Sequence, residues 1–295
     1  MIRQQEARMP EGDTLYRVAA NVRPVLQGKR VLAATTSERT TVEPIDAASL
    51  VGHVVTDVAA RGKHLMIALD DDRVVHSHLG MTGSWHVYPH GEAWRKPASR
   101  AALALHTDSH VIICFSPKMM ELVTVTHLRR NEYLQRLGPD LMLADSDLQA
   151  ALARMRVHNL APMGEAVMNQ TIAAGIGNVY KSETLFLARI NPWTRVGELA
   201  DQRLLKYLSD ARRLMRLNRG SGPRVTRFRD DGRRHWVYGR RGESCYECGG
   251  IITLRRQGDA GRTTYWCATC QPATSSTPRV NTARQRRQPP IKGCG

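Results

Sequence analysis

A chain of 295 residues is long enough for two domains, each with its own buried core. The formal net charge of +16 at pH 7 excludes the near-neutral balance of an ordinary metabolic enzyme and implies a polyanionic partner, which charge alone leaves open as DNA, RNA or an anionic membrane. No stretch approaches the run of about 18 apolar residues that a membrane-spanning helix needs, so we expect a cytoplasmic protein.

The segment Met9-Pro10-Glu11 near the start of the chain has two possible uses. If translation begins at Met9 and this methionine is removed, Pro10 presents a secondary amine that is partly unprotonated at neutral pH and therefore nucleophilic. Attack on a sugar C1′ would expel a base and leave an iminium, which permits strand cleavage by elimination, with Glu11 transferring the protons. The alternative is that Pro10 simply opens the first helix.

One helix and then a series of strands are predicted for the next part of the chain. Residues 13–28 place Leu15, Val18 and Val22 at helical spacing, with Asp13 as the expected N-cap. Residues 30–126 contain short β-branched runs separated by turn residues, which predicts antiparallel hairpins in a sheet or sandwich. Within them, Lys63 ends a basic turn before a strand and suits a cation placed at a phosphate, although a solvated surface lysine is the alternative.

The pattern becomes helical after a boundary predicted near Gly138 and Pro139. Residues 168–178 join two apolar helical runs through Gly175 and Gly177, which let backbone amides point at one anion. Asn178 would then cap the next helix or donate to a phosphate. A helix-turn-helix hairpin packed in a core is the alternative.

Residues 212–241 hold eleven arginines against two acidic residues, which indicates either a surface that faces phosphates or a mobile loop. The cysteine spacing that follows, two Cys-x-x-Cys pairs separated by eighteen residues, is typical of a zinc ribbon. The predicted zinc ligands are Cys245, Cys248, Cys267 and Cys270. Arg262 is expected at the turn of the intervening hairpin, where it reaches a phosphate or, alternatively, is only solvated beside a structural zinc.

Seven segments, in this order, resemble the formamidopyrimidine-DNA glycosylase and endonuclease VIII family, and MPEGDT with WVYGR is similar to its actinobacterial endonuclease VIII branch. The resemblance covers residues 9–271. The segments are MPEG, RGKHL, HSHLGMTGSW, LQRLGPD, AGIGNVYKSE, YGRRGESCYECG and GRTTYWCATCQ.

This resemblance implies an α+β fold in which an N-terminal helix and an antiparallel β-sandwich precede a helix-two-turn-helix domain and a C-terminal zinc ribbon. The expected divisions are an extension (1–8), the catalytic sandwich (9–138), the helix-two-turn-helix domain (139–235) and the zinc finger (236–272). DNA would lie in the cleft between the two domains. The basic, proline-rich tail (273–295) is expected to be disordered on its composition.

The family also implies roles for individual residues. Pro10 would be the Schiff-base nucleophile, Glu11 the general acid that assists base loss, and Lys63 the proton donor and phosphate ligand of β-elimination. Arg262 would support δ-elimination. The four cysteines would hold one structural zinc.

Three further residues are expected to contact the DNA. Asn178 and Arg136 would hold the phosphates around the lesion. A damaged base must be flipped out of the duplex before it can be removed, and an apolar side chain can fill the gap, for which Met81 is the candidate. The implied partner is damaged double-stranded DNA, bound by a monomer near the bacterial nucleoid.

The sequence thus predicts a bifunctional DNA glycosylase and abasic-site lyase that removes oxidised bases, pyrimidines in the first instance, and cuts the strand by β,δ-elimination. HLGMTG resembles the formamidopyrimidine branch more closely, so an oxidised-purine glycosylase is one alternative. The eight residues before Met9 would hold the Pro10 nitrogen in a peptide bond. A noncatalytic zinc-ribbon protein that binds DNA is therefore the other alternative.

Overall fold

The computed structural model describes residues 10–40, 42–220 and 222–273. The predicted extension and, apart from Ala273, the predicted tail lie outside these ranges. Among the described residues, none of the helices is both long and apolar enough to cross a membrane.

Helix α1 (Gly12–Leu26) is the first element, close to its predicted bounds. Its buried side includes Leu15, Val22 and Leu26, as the helical spacing predicted. The predicted N-cap is wrong: Glu11 occupies that position, and Asp13 lies inside the first turn. Asp13 does not cap the helix because its carboxylate is bound to Arg224, 211 positions further along the chain.

Eight antiparallel strands follow and form two four-stranded sheets, with the orders β1-β6-β7-β5 and β2-β3-β4-β8. Apolar side chains of both sheets, such as Val58 and Ile67 from one and Leu103 and Ile112 from the other, share one core cluster with α1. The predicted sandwich is confirmed. The strands are β1 (Ala33–Thr35), β2 (Val55–Arg61), β3 (His64–Leu69), β4 (Arg73–His78), β5 (Ser84–Pro89), β6 (Ala101–His106), β7 (His110–Phe115) and β8 (Met119–Thr124).

The second half of the described chain is helical and has its own core. Two short helices, α2 (Val125–Arg130) and α3 (Glu132–Arg136), lead into it. The helices α4 (Leu148–Arg156), α5 (Met163–Ala166), α6 (Asn178–Leu187) and α7 (Asp201–Leu217) follow. One side of α7 is buried in this core and consists of Leu204, Tyr207, Leu208, Ala211, Leu214 and Met215.

A two-stranded hairpin, β9 (Ile252–Gln257) and β10 (Arg262–Cys267), carries the last two predicted cysteines near its end. Arg262 pairs with Gln257 at the turn end of the ladder, so the predicted position of Arg262 at the hairpin turn is confirmed. Strand β10 packs on helix α6.

The arginine-rich segment differs from both interpretations of it. Arg227 and Arg240 are less than 10% exposed, and together with Arg233 they lie against the ring of Tyr246. The carboxylate of buried Glu183, on α6, accepts hydrogen bonds from the amides of residues 236–238 and from a threonine hydroxyl. Several of these arginines therefore hold the chain together, and a description of the whole run as a phosphate-facing surface or mobile loop is wrong.

Candidate active site

The carboxylate of Glu11 lies at the N-terminus of helix α6. It accepts hydrogen bonds from the backbone amides of Gly177 at 3.0 Å, Val179 at 2.7 Å and Tyr180 at 3.3 Å. The first amides of a helix have no partner within the helix, and the helix dipole favours a negative charge there. The predicted anion-binding turn is therefore present, and the anion that it holds is a side chain of the protein itself. Glu11 is 1% exposed and follows Pro10, which is also buried.

Glycines make this close approach possible. The amide of Gly12 donates to the carbonyl of Gly175 at 2.9 Å, and a Cβ on Gly12 would lie 2.9 Å from the Gly175 Cα. Gly175 has a φ of +111°, which favours glycine. A Cβ on Gly177 would lie 2.4 Å from the Glu11 Cδ. The two segments that meet here, MPEG and AGIG, can touch only because side chains are missing at these positions.

A buried arginine completes the surroundings of Glu11. Arg224 binds Asp13 through two nitrogens, at 2.9 Å and 2.5 Å, and its Nη1 lies 3.7 Å from Glu11 Oε1. Its guanidinium also lies over the ring of Tyr180, 5.0 Å from the centroid. Burial opposes its charge, but Glu11 and Asp13 raise the pKa of Arg224 above its usual range, so it is cationic at any physiological pH. Arg224 thus ties the start of α1 to the arginine-rich segment.

Lys63 is the second residue of the two-residue turn between β2 and β3, so it ends this turn as predicted. Gly62 forms this turn with a φ of +58°, and its amide donates to Asp140 Oδ2 at 2.6 Å. The other oxygen of Asp140 accepts from the Met142 amide at 2.9 Å, so the turn is fastened to the helical half of the chain. Burial lowers the pKa of Lys63, Glu11 opposes that shift, and the charges of Arg262 and Arg224 lower the pKa further. These four charged groups are therefore close enough to act on one another.

The residue after Lys63 begins a chain of hydrogen-bonded histidines. His64 Nδ1 is 2.9 Å from His76 Nε2, and His76 Nδ1 is 2.8 Å from Glu121 Oε1. The ring of His78 contacts His64 edge-on. Burial lowers the pKa of His64 to about 3 and that of His78 to about 4. At neutral pH these two rings add no positive charge beside Lys63.

Arg262 is exposed at the tip of the β9–β10 hairpin, and its charge lowers the pKa of both Lys63 and Lys181. Helix α6 holds this strand through Asn178, whose Nδ2 donates to the hydroxyl of Thr263 at 3.0 Å. Asn178 does not cap the helix, because Gly177 is the N-cap residue. Its Oδ1 is buried and has no hydrogen-bond partner among the described residues. Helix α6 therefore brings Glu11 and Arg262 to the same end of one element.

Met81 and Arg136 stand apart from this cluster. Met81 is 54% exposed on the tight turn between β4 and β5, where Gly80 has a φ of +65° and the Gly83 amide donates to the Leu79 carbonyl. Such an exposed apolar tip has the form expected of a wedge. Arg136 lies at the end of α3 and pairs with Glu132 at 2.9 Å on the exposed surface. Its side chain makes no hydrogen bond or ion pair to the cluster within the described ranges.

The four predicted zinc ligands converge at the base of the hairpin. Their sulfurs all lie within 4.8 Å of one another, with Cys245 to Cys270 at 3.8 Å and Cys248 to Cys267 at 3.4 Å. Four thiolates at the usual zinc–sulfur distance of about 2.3 Å in a tetrahedron are separated by about 3.8 Å. The donor set and its spacing therefore fit a structural zinc ion.

Three residues of the cluster have no counterpart in the sequence-based prediction: Asp140, Lys181 and Arg224. Asp140 and Lys181 stand inside recognised segments, LQRLGPD and AGIGNVYKSE, but nothing in the spacing points to their partners. Asp140 contacts a residue 78 positions away, and Arg224 contacts one 211 positions away. Of these three residues, only Arg224 lies in a segment with an unusual composition, the arginine-rich segment, and there it is one of eleven arginines.

Models of two protein domains match this chain. The formamidopyrimidine-DNA glycosylase N-terminal domain matches residues 9–130, and the H2TH domain of the same glycosylase matches residues 137–222. In fold, the chain is similar to a complex between the Lactococcus lactis Fpg and DNA that contains an abasic site, with a TM-score of 0.74 and 21% identity over 89% of this chain and all of that one.

Full-length relatives carry two kinds of name. A probable endonuclease 8 2 of Streptomyces coelicolor is 36% identical over 284 residues, or 95% of this chain and 100% of the relative. The DNA-(apurinic or apyrimidinic site) lyase Nei2 of Mycolicibacterium smegmatis is 35% identical over 90% of this chain and 100% of its own length. A formamidopyrimidine-DNA glycosylase of Sphingopyxis alaskensis is 32% identical over 89% of this chain and 100% of its own.

Proposed function

The chain belongs to the formamidopyrimidine-DNA glycosylase and endonuclease VIII family of DNA-repair glycosylases and abasic-site lyases, and on that premise we propose that it removes oxidised pyrimidines through a Schiff base at Pro10. Strand cleavage then proceeds by β,δ-elimination. The partner is double-stranded DNA that carries a damaged base or an abasic site, as in the complexes of the proteins with the same fold.

The observation that carries this proposal is the position of Glu11. The residue that follows Pro10 has its carboxylate fixed by three backbone amides, and Lys63 and Arg262 interact with each other and with the surroundings of this carboxylate. A nucleophile, a proton-transfer group and two cations on one site are the parts that an amine-based lyase needs. Four residues that are up to 252 positions apart in the sequence would not meet in this way in a protein that uses its zinc ribbon only to bind DNA.

The proposed reaction assigns one task to each group. The nitrogen of Pro10 bonds to C1′ as the glycosidic bond breaks, and the base leaves with the bonding electrons and takes up a proton. Glu11 transfers protons as the sugar ring opens and the iminium forms. Removal of a C2′ proton expels the 3′ phosphate, and removal of the C4′ proton then expels the 5′ phosphate. Lys63 contacts the phosphate and donates a proton in the first elimination, and Arg262 supports the second.

Water then hydrolyses the iminium and releases the sugar fragment from Pro10. The cycle requires a free nitrogen at Pro10, so we also propose that the active chain starts there. The match to the N-terminal domain model begins at residue 9, which supports this start.

The proposed substrate class rests on the relatives. Those named endonuclease 8 2 or Nei2 are 35–36% identical to this chain, whereas the formamidopyrimidine-DNA glycosylase of Sphingopyxis alaskensis is 32% identical. The difference favours the group named endonuclease 8 2 or Nei2, and the proposed preference for oxidised pyrimidines over oxidised purines follows from membership of this group. The exposed Met81 turn serves either class, because the gap left by a flipped base must be filled in both.

The remaining contacts belong to the same proposal. Asn178 and Arg136 bind phosphates around the lesion, and Met81 enters the base stack. The cysteine cluster binds one zinc ion, which supplies a rigid support for the hairpin and takes no part in bond breaking. Residues 9–138, 139–235 and 236–272 are our proposed division into domains.

Base release from defined oligonucleotides tests the proposed substrate. The chain that starts at Pro10 is incubated with duplexes that carry one oxidised pyrimidine or one oxidised purine, and free base is quantified under single-turnover conditions. We expect faster release of the pyrimidine. Faster release of the purine would assign the chain to the formamidopyrimidine type, and no release of either base would overturn the glycosylase proposal.

A further inference from the structure

Lys181 is a buried cation that the reaction described above does not use. It lies on α6, three residues after Asn178, and it is 1% exposed. Its Nζ donates to the backbone carbonyl of Thr263 at 3.1 Å. Among the described residues, no carboxylate forms an ion pair with it.

Lys181 is one of three neighbouring residues on α6 that hold strand β10. Asn178 donates to the Thr263 hydroxyl, Lys181 donates to the Thr263 carbonyl, and the Ser182 hydroxyl accepts from the Tyr265 amide at 3.3 Å. Positions separated by three or four residues lie on one face of a helix. The hydroxyl and the backbone carbonyl of Thr263 are thus both bound to α6, and Thr263 directly follows Arg262 in the chain.

A lysine in this place is costly for the protein. Burial, together with the charge of Arg262, lowers the pKa of Lys181 to about 8, although Glu11 and Glu165 oppose the shift. An apolar residue of similar length would avoid this penalty and would still fill the space. The position of the ammonium next to the strand that carries Arg262 suggests a use other than packing.

We propose that Lys181 is a positioning residue for Arg262. Its hydrogen bond to the Thr263 carbonyl fixes the tip of the β9–β10 hairpin on α6, so that the Arg262 guanidinium stays at the end of the helix that holds Glu11. The inference rests on the proposed function, because it takes Arg262 as the group that supports δ-elimination.

The ratio of δ-elimination to β-elimination products on abasic-site DNA measures this role. Arg262→Ala defines the effect of losing the guanidinium. We compare it with three variants: Lys181→Met, Lys181→Arg and the double variant Lys181→Met/Arg262→Ala. Lys206→Met is the matched control, since Lys206 is an exposed lysine on α7 paired with Asp210. Zinc content and affinity for undamaged duplex report whether each variant is folded, and borohydride trapping reports the Pro10 chemistry separately.

We expect Lys181→Met to lower the product ratio by roughly tenfold, the scale of a small misplacement of a catalytic group. Lys181→Arg should restore much of the ratio, because it keeps a cationic donor. The double variant should resemble Arg262→Ala alone, since both changes remove one function.

Other results would overturn the proposal. A normal product ratio in Lys181→Met would contradict it. So would a loss in the double variant equal to the product of the two single losses, because the two residues would then act independently. An equal loss in Lys181→Arg and Lys181→Met would also contradict it. A normal product ratio in Arg262→Ala would contradict the proposed roles of both Arg262 and Lys181. If borohydride does not trap the protein at Pro10, the proposed function itself is wrong.

Discussion

Short contacts to backbone amides fix the orientation of the Glu11 carboxylate in this site. The Glu11 carboxylate has its oxygens within 3.3 Å of three amides, which leaves it little freedom to rotate. Gly12, Gly175 and Gly177 leave the space that this arrangement needs. An added methyl group is therefore a sensitive probe of whether the orientation of Glu11 matters.

We predict that Gly177→Ala strongly reduces base release. The new Cβ would lie 2.4 Å from Glu11 Cδ, so either the carboxylate or the start of α6 must move. A shift of about 1 Å can cost roughly 100-fold in rate when a catalytic group is involved. Gly220→Ala is the matched control, since a Cβ there meets no atom within 4 Å. Single-turnover base release measures both, and equal rates for the two variants would show that the orientation of Glu11 is unimportant.

The charge of Arg262 provides a test at Lys63. Because burial, Arg262 and Arg224 lower the pKa of Lys63 from 10.5, a proton donor at this position loses activity as pH rises through the lowered value. Arg262→Gln removes one lowering influence, so the pKa rises and the alkaline limb of the β-elimination rate should move to higher pH. Arg255→Gln, on the same hairpin, should leave the limb in place. A limb that stays in place or moves to lower pH in Arg262→Gln would contradict the role of Lys63 as donor.

Among the elements, helix α6 aligns three parts of the site. Its first amides hold Glu11, its side face holds β10 through Asn178 and Lys181, and Glu183 near its middle holds residues 236–238 of the arginine-rich segment. Glu183 is 0% exposed, and its carboxylate accepts from the amides of Trp236, Val237 and Tyr238 at 2.7 to 2.8 Å. A buried carboxylate with this many donors is costly to remove.

We predict that Glu183→Ala destabilises the protein by about 3 kcal/mol or more, because it leaves three backbone amides without an acceptor. Glu92→Ala, at an exposed glutamate of the sandwich, is the control. The free energy of unfolding in urea measures the difference. A loss for Glu183→Ala no larger than that for Glu92→Ala would mean that the segment is held by other contacts.

The elements were predictable from the sequence to the extent that local patterns define them. Helical spacing identified α1, and β-branched runs identified the strands of the sandwich. Contacts between distant segments were not predictable in this way. Asp13 is a good N-cap residue by its local sequence, yet its carboxylate binds Arg224, and the anion at the Gly175–Gly177 turn is Glu11 rather than a phosphate.

For the site, the family resemblance predicted Pro10, Glu11, Lys63 and Arg262, and in the structure the charges of Glu11 and Arg262 both act on Lys63. Lys181 and Asp140 could not be predicted as members of the site, because the sequence shows only that they are charged. Their roles depend on burial and on partners supplied by the folded chain, and neither is a property of a short segment.

At the scale of the whole molecule, the chain combines a net charge of +16 with a hairpin that has four clustered cysteines at its base. Contacts with phosphates release counterions, so affinity for DNA should fall steeply as salt rises. The cysteines lie at the base of the hairpin and far in sequence from Pro10. The zinc site should therefore affect DNA binding without affecting the amine.

We predict that removal of zinc, by a chelator or by Cys267→Ser, abolishes binding to an abasic-site duplex, because the β9–β10 hairpin loses its support. An amine-reactive probe should still label Pro10 in the chain that begins there. Cys114→Ala is the control, since Cys114 is a buried cysteine outside the cluster. Fluorescence anisotropy at low salt measures binding. Unchanged affinity in the zinc-free protein would contradict the supporting role of the ribbon.

The central claim is that chemistry starts at a free Pro10 nitrogen, and borohydride trapping on an abasic-site oligonucleotide tests it most directly. Reduction of the iminium joins protein and DNA by a stable bond, and intact mass of the product identifies the chain that reacted. The account predicts covalent trapping of the chain that starts at Pro10 and little or none of the chain that keeps residues 1–9, whose Pro10 nitrogen is in a peptide bond. Failure of the chain that starts at Pro10 to trap, or equal trapping of both chains, would contradict it.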